Sequence, residues 1–207
     1  MYVKIEPFGY LIYGEVIGST WLSVVEAILK NGVITKDEGR ERLCLQNIRI
    51  KSATQVFPDP LIEKYGNKRD IEEIINLTFN DEIMRDCDVV PSFLPGKQSY
   101  HARIKDWKMI DFVVERLTNI PESKKAVMSF IRKEDYESVL SEPKNDYLPC
   151  ITTIQFRLIK MDGDKGYHLN TIFNARSIDV YQKAAGNLAA IALLSKEIAE
   201  RLIYLLQ

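Results

Sequence analysis

Residues 150–173 read CITTIQFRLIKMDGDKGYHLNTIF. Cys150 to Lys160 is rich in β-branched and aromatic residues, and so is Tyr167 to Phe173. MDGDKG between them is dense in turn formers, so the spacing predicts two strands joined as a hairpin. From about Ala184 to Leu206 the chain is rich in alanine and leucine and predicts one long helix.

Ala126 to Ile131 predicts a short apolar strand. Asp106 to about Asn119 predicts a helix capped by Asp106, with Trp107, Ile110, Val113, Val114 and Leu117 inward and Pro121 helping to end it. Asp70 to Phe79 reads as a helix with Asp70 as its N-cap, and Asp81 to Gln98 follows no periodicity. Phe57 to Pro60 is a proline-broken loop, and Arg42 to Lys51 alternates as a strand. From Thr20 to Lys30, Trp21, Val24, Val25, Ile28 and Leu29 share one face. Ser19 or Thr20 is placed to cap the start and Gly32 to end it. Without regular βαβ alternation, the pattern predicts an α+β layered fold over 1–207 as a single domain, a mixed sheet covered by helices.

The chain has 207 residues, 46% of them hydrophobic, enough for a substantial core, and a formal net charge of -1. That balance gives no global argument for nucleic acid or an anionic membrane as partner. No signal peptide or membrane span is read from the sequence. Cys44, Cys87 and Cys150 show no CxxC spacing, and with only two histidines a zinc site is not expected. A reducing cytoplasm is the expected compartment.

Cys150 follows Pro149 at the entrance to a strand. It reads either as a small buried residue or as a nucleophile, and the second needs positive charge or a donor nearby. NARSIDVYQKAAGN, residues 174–187, gathers Arg176, Ser177, Asp179 and Asn187 between a strand and a helix. Such a junction presents polar side chains and backbone N–H groups to a ligand. Arg176 could neutralise a phosphate or a thiolate, Ser177 could donate to a phosphate oxygen, and Asn187 carries the donor and acceptor that read a uracil edge. The same residues also read as a solvated loop with Asp179 or Ser177 as a helix cap.

PCITTIQF followed by FNARSIDVYQKAAGNLAAIALL resembles the thymidylate synthase signature. There a Pro-Cys opens a strand, Gln-Phe follows, Arg-Ser-x-Asp closes the next strand, and an asparagine leads into a helix. Cys150, Gln155, Phe156, Arg176, Ser177, Asp179 and Asn187 fall in register once MDGDKG is taken as a longer hairpin turn. Upstream, Glu73-Ile-Ile-Asn-Leu-Thr-Phe-Asn-Asp resembles the family helix that begins with its catalytic glutamate. Tyr100-His-Ala-Arg103 resembles the Tyr-Gly-x-x segment, and Pro121-Glu-Ser-Lys124-Lys125 the Pro-x-Ser-Arg-Arg segment. The resemblance covers roughly residues 40 to 206.

The resemblance implies a thymidylate-synthase-like fold, with a sheet face at a homodimer interface. It also implies a pyrimidine nucleotide C5-methyl- or hydroxymethyltransferase acting on a dUMP-like nucleoside monophosphate with 5,10-methylenetetrahydrofolate. Cys150 would add to ring carbon 6, with Glu73 as acid/base and Tyr100 beside them. Arg176 would stabilise the thiolate and touch phosphate, and Ser177 would bind phosphate. Asn187 would read the base, Gln155 and Asp179 would line the nucleotide, and Lys124 and Lys125 would reach the partner's phosphate.

Lys124 and Lys125 stand where the family has arginines, which keeps the charge and loses the bidentate fork. His101 replaces a glycine, and Ala185-Gly186 replaces a Pro-Phe. The sequence ends at Gln207, before the family's sugar-binding His-x-Tyr strand and its folate-closing tail. Three expectations stand open: a companion chain completes the site, the nucleotide is held differently, or folate chemistry is lost. The alternative function is accordingly a non-catalytic or partly catalytic homologue serving as a nucleotide-binding or assembly subunit.

Overall fold

A computed structural model describes residues 2–6, 9–37, 39–80, 98–141, 147–161, 163 and 166–205. The expectations for Cys87, for 81–97, for the loop 142–146, for turn positions 162, 164 and 165, and for the helix end at 206 lie outside them. The chain is α+β and forms two compact units, each drawn from two segments: 1–71 with 179–192, and 72–178 with 193–207. Among the described residues the strands form three small sheets, where one mixed sheet was expected.

In the first unit, β1 (Tyr2–Glu6) runs antiparallel to β2 (Gly9–Gly14). β2 then pairs in parallel with β5 (Ile48–Ser52). A parallel pair needs a crossover, supplied by α1 (Ile17–Asn31) and the hairpin of β3 (Val33–Asp37) and β4 (Arg40–Cys44). The alternating segment 42–51 is therefore two strands in two sheets. Asn47 interrupts it in the left-handed region, with φ 56°, a conformation asparagine tolerates better than most residues. Its carbonyl accepts from Tyr10 N at 3.0 Å.

α1 begins three residues before the expected start. Ser19 acts from inside the helix, donating to Val16 O at 3.0 Å and accepting from Val16 N at 3.3 Å. Gly32 ends the helix as expected, its N–H bonding Ile28 O at 2.8 Å. Ile12, Val24 and Ala27 form a buried core, packed by Ile28, Leu45, Ile48, Ile50 and Val180. Trp21 is buried, and its Nε1 donates to Val180 O at 2.8 Å.

The loop at Phe57 leads into α2 (Pro60–Tyr65), which sequence reading missed. Asp59 caps it by accepting from Leu61 N and Ile62 N at 2.8 and 3.2 Å. The other Asp59 oxygen accepts from Gly18 N in α1 at 3.0 Å. A Cβ on Gly18 would lie 2.1 Å from Asp59 Oδ1, so this approach requires glycine. α3 (Lys68–Phe79) starts two residues earlier than expected. Asn67 Oδ1 accepts from Arg69 N at 3.1 Å, so Asn67 takes the position assigned to Asp70, which lies in the first turn.

In the second unit, β6 (Val127–Ser129), β7 (Ile151–Ile159) and β8 (His168–Ala175) form an antiparallel sheet in that order. The expected hairpin is present, with Ile154 opposite Phe173 and Phe156 opposite Thr171. Met128, Phe130, Ile154 and Phe156 are buried; each such side chain contributes about 2–3 kcal/mol of apolar transfer. The expected helix from Asp106 begins three residues later as α5 (Met109–Asn119), and a separate helix, α4 (Tyr100–Asp106), precedes it. Lys108 breaks them in the left-handed region at φ 47°. Asp106 thus ends α4, and Trp107 is exposed at the break, stacked by Arg132 at 4.8 Å. α6 (Lys133–Ser141) follows β6. The last helix, α7, spans Ala184–Leu205, close to its expected bounds. No helix among the described residues is long and apolar enough to cross a membrane.

Candidate active site

Pro149 is buried and fixes its own backbone just ahead of β7, so Cys150 emerges at the strand entrance, half-buried. The neighbouring strand β8 ends at Ala175, and Arg176 N donates to Cys150 O at 2.9 Å. The Arg176 side chain turns back on the same segment: Nη2 donates to Leu148 O at 2.7 Å and Nε to Pro149 O at 3.2 Å. A guanidinium carries five N–H donors, so Arg176 straps the cysteine turn and keeps donors for a ligand. Ser177 is exposed next to it.

Tyr100 enters from α4. Ser99 caps that helix, accepting from Ala102 N at 3.1 Å, which sets Tyr100 at the first helical position. Its ring meets Phe130 edge-on, with centroids 5.0 Å apart. Its hydroxyl accepts from Ile151 N at 2.9 Å, one residue past the cysteine. Burial first, then the charges Tyr147 and Cys150 would carry, hold the Tyr100 phenol well above the usual tyrosine range. At neutral pH it is an O–H whose oxygen is engaged and whose hydrogen remains to donate.

One turn along α4, on the face shared with Tyr100, lies Arg103, which sequence reading quoted without assigning a role. It is 3% exposed and makes a bidentate pair with Asp135 at 2.6 and 2.7 Å. It also donates to Phe130 O, and its guanidinium lies 5.6 Å from the Tyr147 ring centroid. Burial works against the Arg103 charge, but hydrogen bonding to the Asp135 carboxylate outweighs it and raises the guanidinium further. Tyr147 is raised too, by burial first, with Arg103 opposing. The available signal was the i, i+3 spacing of Tyr100 and Arg103. Asp135 lies 32 residues away and carries no local mark.

Gln155 spends its side-chain N–H groups on structure, Nε2 donating to Lys124 O at 2.8 Å. Buried Ser123 supports the same turn, accepting from Lys125 N at 3.2 Å and Arg116 Nε at 2.7 Å. Lys124 and Lys125 are exposed there, beside the edge strand β6. Glu73 lies half-buried on α3, and among the described residues no hydrogen bond or ion pair joins it to Tyr100, Cys150 or Arg176.

Asp179 and Asn187 fold with the first unit. Asp179 Oδ1 accepts from Tyr181 N and Gln182 N at 2.9 and 3.0 Å, the local cap that sequence reading held as an alternative. Asn187 is buried on α7, where its backbone N–H donates to Lys183 O at 2.9 Å. The second unit thus brings together Tyr100, Cys150, Arg176 and Ser177, with Arg103, Asp135 and Tyr147 behind the cysteine. A groove of about 370 Å³ lined by Asp111, Val114, Glu115, Thr118, Asn119 and Arg201 contains none of them, and Arg201 in it is paired with Asp111 at 2.6 Å.

No family model matches the chain, and no curated protein matches it significantly.

Proposed function

We propose that the protein is a thymidylate-synthase-like enzyme that adds the Cys150 thiolate to carbon 6 of a uridine-type nucleoside monophosphate. The supporting observation is the meeting of three motif residues that are far apart in sequence. Tyr100 OH holds Ile151 N at 2.9 Å, and Arg176 holds the carbonyls of Leu148, Pro149 and Cys150. The thiol therefore leaves a fastened turn between a neutral phenol and a cation.

In the proposed step, the sulfur lone pair forms the S–C6 bond and the C5–C6 π electrons move to carbon 5, giving an enolate. Arg176 and Ser177 take the phosphate, and Tyr100 keeps a proton available beside the cysteine. Carbon 5 takes a proton from solvent and gives one up, and elimination then returns the thiolate, so isotope exchange is the balanced outcome. Among the described residues the tryptophans do not fit methylenetetrahydrofolate. Of the two tryptophans, Trp21 is buried and bonded through Nε1, and the exposed Trp107 has a ring face covered by Arg132. One-carbon transfer from methylenetetrahydrofolate is an arm of the test.

The test is release of tritium from carbon 5 of dUMP, UMP, dCMP and CMP in turn. Release that depends on Cys150 supports the addition step, and stimulation by methylenetetrahydrofolate extends it to group transfer. Binding without release, unchanged in Cys150→Ser, favours the nucleotide-binding subunit. Binding of none of the four sinks both readings. The base-reading role carried over to Asn187 predicts a shift toward cytosine nucleotides in Asn187→Asp.

The homodimer belongs to the same proposal. Val127, Gln155 and Ile172 form one cross-strand row on the β6–β7–β8 sheet, and Val127, Ile159 and Ile172 are exposed. Lys124 and Lys125 adjoin that edge. Sedimentation at micromolar concentration should give a dimer that Ile172→Lys dissociates. A strict monomer removes the basis for giving those lysines a partner's phosphate.

A further inference from the structure

We propose that Arg103 and Tyr147 form a buried clamp that positions the Cys150 thiol, with Tyr147 transmitting the fixed place of the guanidinium to the turn that carries the sulfur. The inference rests on the reading of Cys150 as nucleophile. It assigns Tyr147 a role that no motif in the sequence marked.

Residues 147–151 are fastened one after another. Tyr147 lies with its ring 5.6 Å from the Arg103 guanidinium. The carbonyls of Leu148, Pro149 and Cys150 all accept from Arg176. Ile151 N donates to Tyr100 OH. Cys150 is a free, half-buried thiol, and the bonds on either side of it hold its backbone.

Arg103 is suited to be the fixed end. Its side chain is 4% exposed, and the planar fork is locked by both Asp135 oxygens and by Phe130 O. Asp135 is held in turn, accepting from Arg132 N at 2.8 Å. Phe130 belongs to the same framework, since Phe130 N donates to Thr152 O at 2.9 Å, two residues beyond the cysteine. Among the described residues Arg103 Nε is buried without a partner, so hydrogen bonding around this cation is incomplete there. The Tyr147 ring adds an aromatic face to its contacts, and such a contact is strongest where water is excluded. A displacement of under an ångström at a nucleophile is enough to slow attack. Arg103 and Tyr147 are accordingly positioning residues that act through the turn.

The readout is the alkylation rate of Cys150 by iodoacetamide across pH, followed by mass spectrometry on the full chain. Among the described residues, the charged and titratable groups acting on this corner are Tyr100, Arg103, Asp135, Tyr147 and Arg176, with Cys150 itself. Tyr147→Phe keeps the ring and should stay within about twofold of the wild type. Tyr147→Leu keeps bulk but loses the π face, and its plateau rate should fall on the order of tenfold. The pH at which the rate rises should not move. Tyr147→Met serves the same purpose if the leucine variant fails to fold, as checked by circular dichroism. A phenylalanine variant as slow as the leucine variant, a leucine variant as fast as the wild type, or a displaced pH midpoint would each overturn the clamp. Because alkylation needs no nucleotide, this result is separable from the proposed function. The expected rate order without tritium release from any of the four nucleotides would uphold the clamp and sink the ring-addition reading.

Discussion

The Arg103–Asp135 pair provides the most demanding test of the energetics behind the site. Both side chains are almost fully enclosed, at 4% and 8% exposure, and meet at 2.6 Å. Removing one partner of such a pair leaves an uncompensated buried charge, which typically costs about 3–5 kcal/mol. Asp135→Leu should sit at the upper end, because a guanidinium cannot shed its proton and Arg132 N loses its acceptor as well. Arg103→Met should cost about 3 kcal/mol, since a carboxyl can be neutralised and Arg132 N still bonds it. The double variant replaces the pair by apolar groups of similar volume and should lie within about 2 kcal/mol of the wild type. The expected coupling is then on the order of 6 kcal/mol, well beyond the additivity seen for independent sites. The two tryptophans fall one in each unit, Trp21 in the first and Trp107 in the second. Urea unfolding in a Trp21→Phe background therefore reports on the unit that contains the pair. The quantity read is the midpoint at unchanged slope. A double variant as unstable as the sum of the singles would refute the reasoning, because it would mean that the two charges do not compensate each other.

Three other outcomes are expected. Asp59→Ala leaves Leu61 N, Ile62 N and Gly18 N without their carboxylate and should cost about 2–3 kcal/mol, read by urea unfolding with Trp21 as reporter; a loss under about 0.5 kcal/mol would contradict the cap assignment. Tyr100 and Tyr147 hold their protons more tightly folded than unfolded. Their contribution to stability is full below the ordinary tyrosine value of about 10 and is lost as pH rises through it toward the folded values. Tyr147→Phe should flatten that alkaline decline, and an unchanged slope in denaturant titrations would argue against burial of the phenol. Cys150 should alkylate faster than Cys44, given Arg176 beside it, and the reverse order on peptide mapping would count against the nucleophile.

The sequence was most legible where one local pattern governs one element. The β7–β8 hairpin and α7 follow directly from runs of β-branched residues, a turn-rich linker and an alanine-rich stretch. Two breaks were hidden for the same physical reason. RLCLQNIRIK keeps its alternation across Asn47, and Asp106 to Asn119 keeps its helical apolar spacing across Trp107 and Lys108. In both places a single left-handed residue changes the chain direction, and hydropathy does not register backbone φ. Of the site, Cys150, Tyr100 and Arg176 were legible through their motifs, and the geometry joins them through backbone hydrogen bonds. The Arg103–Asp135 pair was not, because the packing that pairs them is tertiary.

Two buried carboxylates illustrate the difference between holding a fold and holding a proposed nucleophile. Asp59 is satisfied by three backbone N–H groups and ties α1 to α2, with no reactive side chain among its partners. Its role is complete once the helices are joined. Asp135 instead anchors a buried cation, and that cation faces a ring three residues ahead of the cysteine. An apolar pair of similar volume should fill that space at a cost of no more than about 2 kcal/mol, so stability alone does not account for a charge there. What an apolar pair lacks is direction: the guanidinium plane is locked by the carboxylate fork and the Phe130 carbonyl, and the Tyr147 ring is the surface that meets it. A rigid, directional group behind a turn matters when the turn must present one atom at one angle, and on this turn that atom is the Cys150 sulfur.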